Sequence, residues 1–138
     1  MQDCTRHFID GAWRRSTGGS LAPVFNPATG TVCGEVALGS LDDARTAIAA
    51  ARRAFPGWSS TTPEVRLTFL QALLVEYDRR SDAIAEALTD EIGCPLTLSK
   101  SAQVTIGHAH IATAIEILRE FRFGLITPWN WPLNQIAC

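Results

Sequence analysis

The residues best suited to chemistry lie in the segment Gly124-Leu-Ile-Thr-Pro-Trp-Asn-Trp-Pro-Leu-Asn-Gln-Ile-Ala-Cys138. Pro128 and Pro132 each fix their own φ, remove a backbone donor and confine the preceding residue to extended geometry. Trp129-Asn130-Trp131 is therefore a stiff tripeptide with one side-chain amide between two indoles. An amide N–H held rigid in apolar surroundings can stabilise negative charge developing on a substrate oxygen, because nothing has to reorganise when that charge forms. Asn130 is thus the first candidate, as an oxyanion donor. The spacing also fits a plainer role, in which Asn130 closes a turn and the tryptophans belong to a core.

The other chemically active residue types form no comparable constellation. Cys4, Cys33, Cys94 and Cys138 are widely and irregularly spaced, with no C-x-x-C pair, and read as free, buried thiols. Cys138 is near Asn130, but no His, Lys or Arg stands between Gly124 and Cys138 to lower a thiol pKa, so it is not expected to be a nucleophile. His108 and His110 are two residues apart, which on a helix points them to different faces, whereas a ligand pair needs a spacing of three or four. No metal site is expected. The pairs Arg14-Arg15, Arg52-Arg53 and Arg79-Arg80 read as solvated helix faces.

Composition narrows the partners. Lys and Arg number 12 against 14 Asp and Glu, for a net charge of −2. The sequence pI is near 5.9. Such a chain has no basic footprint for nucleic acid or an anionic membrane surface. No apolar run approaches the ~18–20 residues of a membrane span, and the polar start lacks the apolar stretch of a secretory signal. The chain reads as cytoplasmic. With 138 residues, 46% of them apolar, it can bury a core without disulfide or metal staples. No linker or repeat divides it, so residues 1–138 read as one unit.

The elements expected to position the candidate segment are mostly helical. Asp10-Gly11, between short apolar pieces, predicts a type I′ hairpin over His7–Trp13. Thr31–Leu38 alternates like a strand, and Gly34 hints at a bulge. A helix is predicted from Ser40, its cap, with Asp42 and Asp43 in the first turn, to a stop at Pro56-Gly57. Thr61-Thr-Pro-Glu64 caps a second helix running to about Arg80. A third apolar stripe, Ile84 to Ile92, stops at Gly93-Cys-Pro95. The last helix is expected to be the longest, covered on more than one side and ending near Phe123. Leu125-Ile126-Thr127 is a short strand candidate leading into the proline-bounded segment.

The run Ile126-Thr-Pro-Trp-Asn-Trp-Pro132 closely resembles the signature of the NAD(P)-dependent aldehyde dehydrogenase superfamily. Phe8-Ile-Asp-Gly-Ala-Trp13, Asn26-Pro-Ala-Thr-Gly30, the Ala44-to-Phe55 helix with Trp58, and Thr89-Asp-Glu-Ile-Gly-Cys-Pro95 resemble the family's N-terminal part in the same order. The resemblance implies an α/β fold: the helix-rich N-terminal part of a Rossmann-type cofactor-binding domain, preceded by a β-hairpin region. It implies NAD or NADP as cofactor and an aldehyde as substrate, oxidised to a carboxylate through a thiohemiacetal and a thioester. By resemblance Asn130 donates to the oxyanion and contributes, with Ile126, Thr127, Pro128 and Trp129, to the dinucleotide site, while Trp131 and Gln135 face the aldehyde channel.

Two departures from the family pattern qualify this. The family's nucleophilic cysteine, general base and glycine-rich phosphate turn have no counterpart in these 138 residues, and no G-x-G-x-x-G occurs, so the chain alone is expected to be inactive. The helix ending at Phe123 also runs directly into Gly124, where the family places strands that reach into its oligomerisation domain. That segment reads as missing, which would weaken the dimer and tetramer contacts usual in the family. A non-catalytic binding module that associates with full-length relatives is the alternative.

Overall fold

The computed structural model describes residues 4–121 and 123. Four strands come first: β1 (Arg6–Ile9), β2 (Ala12–Arg15), β3 (Leu21–Phe25) and β4 (Val32–Ala37). They form two separate antiparallel pairs, β1 with β2 and β3 with β4. Asp10 and Gly11 both take positive φ, 57° and 76°, as the predicted hairpin turn requires, and Ile9 faces Ala12 across it. In the second pair Val24 faces Gly34 and Phe25 faces Val32, so Cys33 is the extra residue of a bulge beside the predicted glycine. Arg14 and Arg15 lie on β2 rather than on a helix. Both are exposed, as is every residue of β2.

Helix α1 (Leu41–Ser59) opens with the expected cap. The Asp43 N–H donates to Ser40 Oγ at 3.2 Å, and the Ser40 N–H donates to the Asp43 carboxylate at 2.8 Å. Its end differs from the expected stop, since Pro56 and Gly57 lie inside it. A proline removes one ladder bond, but the chain beyond it can stay helical when the last carbonyls find other donors. Here Ser59, Ser60 and Thr61 hydroxyls donate to the carbonyls of Pro56, Gly57 and Trp58. Trp58 is also held edge-on to Phe69 at 5.5 Å, with the Arg66 guanidinium 5.9 Å from its ring.

Helix α2 (Pro63–Arg79) starts at the Thr62 cap, and α3 (Ser81–Ile92) ends at Gly93 with φ 73°. Gly93 has the left-handed geometry that favours glycine just past a helix, as the sequence predicts. A helical run then covers α4 (Leu96–Leu98), a π-helical turn (Ser99–Gln103) and α5 (Val104–Glu120). As a regular α-helix α5 is shorter than α1, and it ends at Glu120, where Phe121 turns extended. It is covered on one side only: Val104 and Ile115 are buried, whereas Ile106 and Ile117 are 50% and 59% exposed.

The core is small. Ile9, Ala37, Ala50, Ala85, Val104 and Ile115 are the buried apolar residues. Ser99 is fully buried, its hydroxyl 3.1 Å from that of Thr89 on α3. The α2/α5 packing rests on Gly107, where any Cβ would lie 2.1 Å from the Tyr77 hydroxyl. Tyr77 crosses that gap to donate to the Val104 carbonyl at 3.0 Å. Beside it, His108 Nδ1 is 2.7 Å from Asp78 Oδ1.

Candidate functional site

Asn130, the cofactor-lining candidates Ile126, Thr127, Pro128 and Trp129, and the channel candidates Trp131 and Gln135 all lie outside the described residues. So do Cys138 and the predicted strand Leu125–Thr127. The described residues form the scaffold that precedes them.

Several concavities mark that scaffold. The first, about 230 Å³, lies between the β3/β4 pair and α3, lined by Cys4, Cys33, Glu35, Glu86, Asp90 and Glu91 among others. The Cys33 thiol, lodged in the bulge, is 3.4 Å from the Val24 carbonyl and 3.6 Å from that of Asp90, so its hydrogen is engaged with backbone acceptors. Cys4, Cys33 and Cys94 are free thiols, as the spacing predicts, but they are not buried: Cys4 is exposed and the other two partly so. With two thin two-stranded sheets there is no thick core to enclose them. No group of three or more His, Cys, Asp or Glu among the described residues is arranged to hold a metal ion.

The second concavity, about 480 Å³, lies between the first hairpin and the start of α1, with Phe8, Trp13, His7, Ser40 and Asp43 on its walls. Phe8 and Trp13 pack with centroids 5.3 Å apart. His7 Nε2 is buried without a partner. Asp43 is the polar hub. Its carboxylate accepts from the Ser16 hydroxyl, from the Ser40 N–H and hydroxyl, and from the Thr17 N–H at 3.3 Å. The Ser16 hydroxyl bond first, and then the Ser40 N–H, hold this carboxyl far below the usual carboxylate range. The sequence placed Asp43 in a first turn but carried no sign of its ties to Ser16 and Thr17, which lie more than 25 residues away.

That hub decides what α1 can bind. A free helix N-terminus attracts phosphate, but here the position is filled by the protein's own carboxylate. At α2 the first turn carries Glu64, its carboxyl lowered chiefly by the Thr62 hydroxyl bond. Each of these two first turns carries a carboxylate of the chain's own, which disfavours a further anion there. The third concavity, about 340 Å³, runs between α2 and α5 and is mostly apolar on its floor.

Two small antiparallel pairs followed by a capped helix, a helix pair and a long final helix form an α/β module, the N-terminal part of an aldehyde dehydrogenase fold. Residues 13–123 match the family model described as the aldehyde dehydrogenase family, and the chain belongs to that family. It is 41% identical to the 3-succinoylsemialdehyde-pyridine dehydrogenase of a Pseudomonas species, over 99% of this chain and 32% of that one. An aldehyde dehydrogenase from Bartonella henselae superposes with a TM-score of 0.84 at 35% identity, covering 88% of this chain and 26% of its own. Aldehyde dehydrogenase C of Pseudomonas syringae, a mutant solved with NAD+ and octanal, gives the same score and identity over 87% and 25%. The chain thus spans about a third of the length of the curated relatives it matches. The alignment to the Pseudomonas dehydrogenase runs over 155 positions, so about 17 or more of them face no residue of this 138-residue chain. The family match ends at Phe123.

Proposed function

We propose that this chain carries the N-terminal portion of an NAD(P)-dependent aldehyde dehydrogenase, an oxidoreductase converting an aldehyde to a carboxylate in the cytoplasm. Membership of the family over residues 13–123 is the observation that carries this reading. The NAD+-bound relative supports NAD or NADP as cofactor. By its resemblance to the family, the dinucleotide contacts fall to Ile126, Thr127, Pro128, Trp129 and Asn130. The cofactor, when bound, supplies a hydride acceptor. Asn130 holds its amide N–H ready for the oxyanion, and Trp131 and Gln135 wall the aldehyde channel.

The 138 residues by themselves do not oxidise aldehydes, since the family's nucleophilic cysteine, general base and glycine-rich phosphate turn have no counterpart in them. The segment that family members carry before the Pro-Trp-Asn strand is missing between Phe123 and Gly124. The family match ending at Phe123 and the unmatched positions in the Pseudomonas relative support this. Its loss removes contacts used for oligomerisation.

A second reading, a non-catalytic module that associates with full-length relatives, is favoured by one observation. Among the described residues Trp13, Phe55 and Val75 are 65%, 66% and 70% exposed, apolar surface of the kind a partner covers. The first reading is tested on the purified chain, and the second by size exclusion with a full-length relative, where an unshifted elution would sink it. Adding NAD or NADP is expected to quench tryptophan emission, and Trp129→Phe to reduce the quench, with no aldehyde-dependent reduction of the cofactor. A flat titration would sink the dinucleotide assignment, and turnover would sink the inactivity.

A further inference from the structure

The cleft between the first hairpin and the start of α1 is put to no use by the proposed function. At about 480 Å³ it is larger than the α2/α5 groove and has the size of a small-molecule site. Phe8 and Trp13 form its apolar wall, their rings packed together yet 61% and 65% exposed. Ala44 and Ala47, three residues apart and so on one face of α1, also line it, and their small side chains leave room for a flat ring. Arg6 and Asp43 line it with opposite charges, and the Asp43 carboxylate already accepts from Ser16, Thr17 and Ser40. An occupant therefore needs an aromatic body and no net charge.

We propose that this cleft binds a small, planar, uncharged aromatic alcohol of the phenol class, with its ring against Phe8 and Trp13 and its hydroxyl on His7 Nε2. Among the described residues His7 Nε2 is the one buried side-chain polar atom without a hydrogen bond. Such an atom is destabilising until a partner meets it. A hydroxyl both donates and accepts, so it matches Nε2 in either tautomer of the imidazole. The way to Nε2 runs past Gly39, which is exposed and lines the cleft. A Cβ added at Gly39 would lie 3.6 Å from Nε2 and 3.9 Å from Asp43 Cβ, so there is space for a carbon atom beside the ring. A hydrocarbon of the same shape would fill the cleft and leave Nε2 unpaired. The inference uses no residue beyond Ala47 and does not rest on dehydrogenase activity.

Equilibrium dialysis of 2-naphthol and of naphthalene against the purified 138-residue chain tests it. Saturable binding of 2-naphthol is expected, with naphthalene about fivefold weaker for want of the hydroxyl, and the His7 imidazole signals are expected to shift in the NMR spectrum as 2-naphthol is added. Gly39→Ala, which sets a methyl group over Nε2, is expected to lower the affinity for 2-naphthol to that for naphthalene and to leave naphthalene unchanged. Ala47→Leu, which fills the cleft from α1, is expected to weaken both ligands about tenfold. Both variants are expected to keep the helix content of the parent. Val75→Arg, in the α2/α5 groove, is expected to bind as the parent does. Absence of saturable binding would overturn the proposal. So would equal affinity for the two ligands, or 2-naphthol binding insensitive to both cleft variants, which would place the molecule on the other exposed apolar faces.

Discussion

At the scale of single residues, the α2/α5 pair depends on the absence of one side chain. Gly107 costs α5 about 1 kcal/mol of helix propensity relative to alanine, yet a Cβ there would lie 2.1 Å from the Tyr77 hydroxyl and 2.7 Å from Cζ. Tyr77 would have to leave the Val104 carbonyl, losing a bond worth about 1 kcal/mol and repacking an aromatic ring, typically 1–3 kcal/mol. Gly107→Ala is therefore expected to destabilise by about 1–3 kcal/mol in urea unfolding. In a Tyr77→Ala background the sign reverses, and the same change stabilises by about 1 kcal/mol. Destabilisation of equal size in both backgrounds would refute the close-approach account. Asp43 shows the same dependence on distant neighbours: its capping role was readable from Ser40, its ties to Ser16 and Thr17 were not.

Elements show where local rules were sufficient and where packing overrode them. The Thr62 cap, the left-handed Gly93 and the Asp10-Gly11 turn follow from local chemistry and are found as predicted. The extension of α1 through Pro56 depends on Ser59, Ser60 and Thr61 accepting the role of final donors and on Phe69 and Arg66 of α2 holding Trp58. The last turn of α2 carries a pH-dependent contribution. Hydrogen bonds from Arg79, at 2.7 and 2.8 Å, and then from Arg80, pull the Glu76 carboxyl from 4.5 down to about 2. A folded-state value below the unfolded one stabilises fully above pH 4.5 and is lost as pH falls from there through about 2. Glu76→Gln is thus expected to lower the urea midpoint at pH 7 slightly, by an amount that shrinks with added salt and vanishes towards pH 2. A difference that grows on acidification would contradict this.

For the whole molecule the governing quantity is uncovered apolar surface. Phe8, Trp13, Phe55, Phe69, Val75 and Ile117 are all more than half exposed, although the strands and helices that carry them are regular. Folded chain at neutral pH is therefore expected to enhance the fluorescence of an apolar dye such as ANS while keeping its helical far-UV signal. Dye emission no greater than with an ordinary monomeric globular protein would show that these faces are covered in solution. No helix among the described residues is long and apolar enough to cross a membrane.

The division between sequence and tertiary structure follows from the range of the forces involved. Caps, turns, the bulge beside Gly34 and the stripe of each helix are set within a few residues, so the sequence alone determined them, and its ordered motifs sufficed to identify the family. Only the tertiary structure decided that Asp43 closes the start of α1, that Gly107 admits Tyr77, that Cys4, Cys33 and Cys94 are partly or wholly exposed and that α5 has one uncovered side. Each depends on atoms brought together from 20 or more positions apart, or on how far the described residues cover one another.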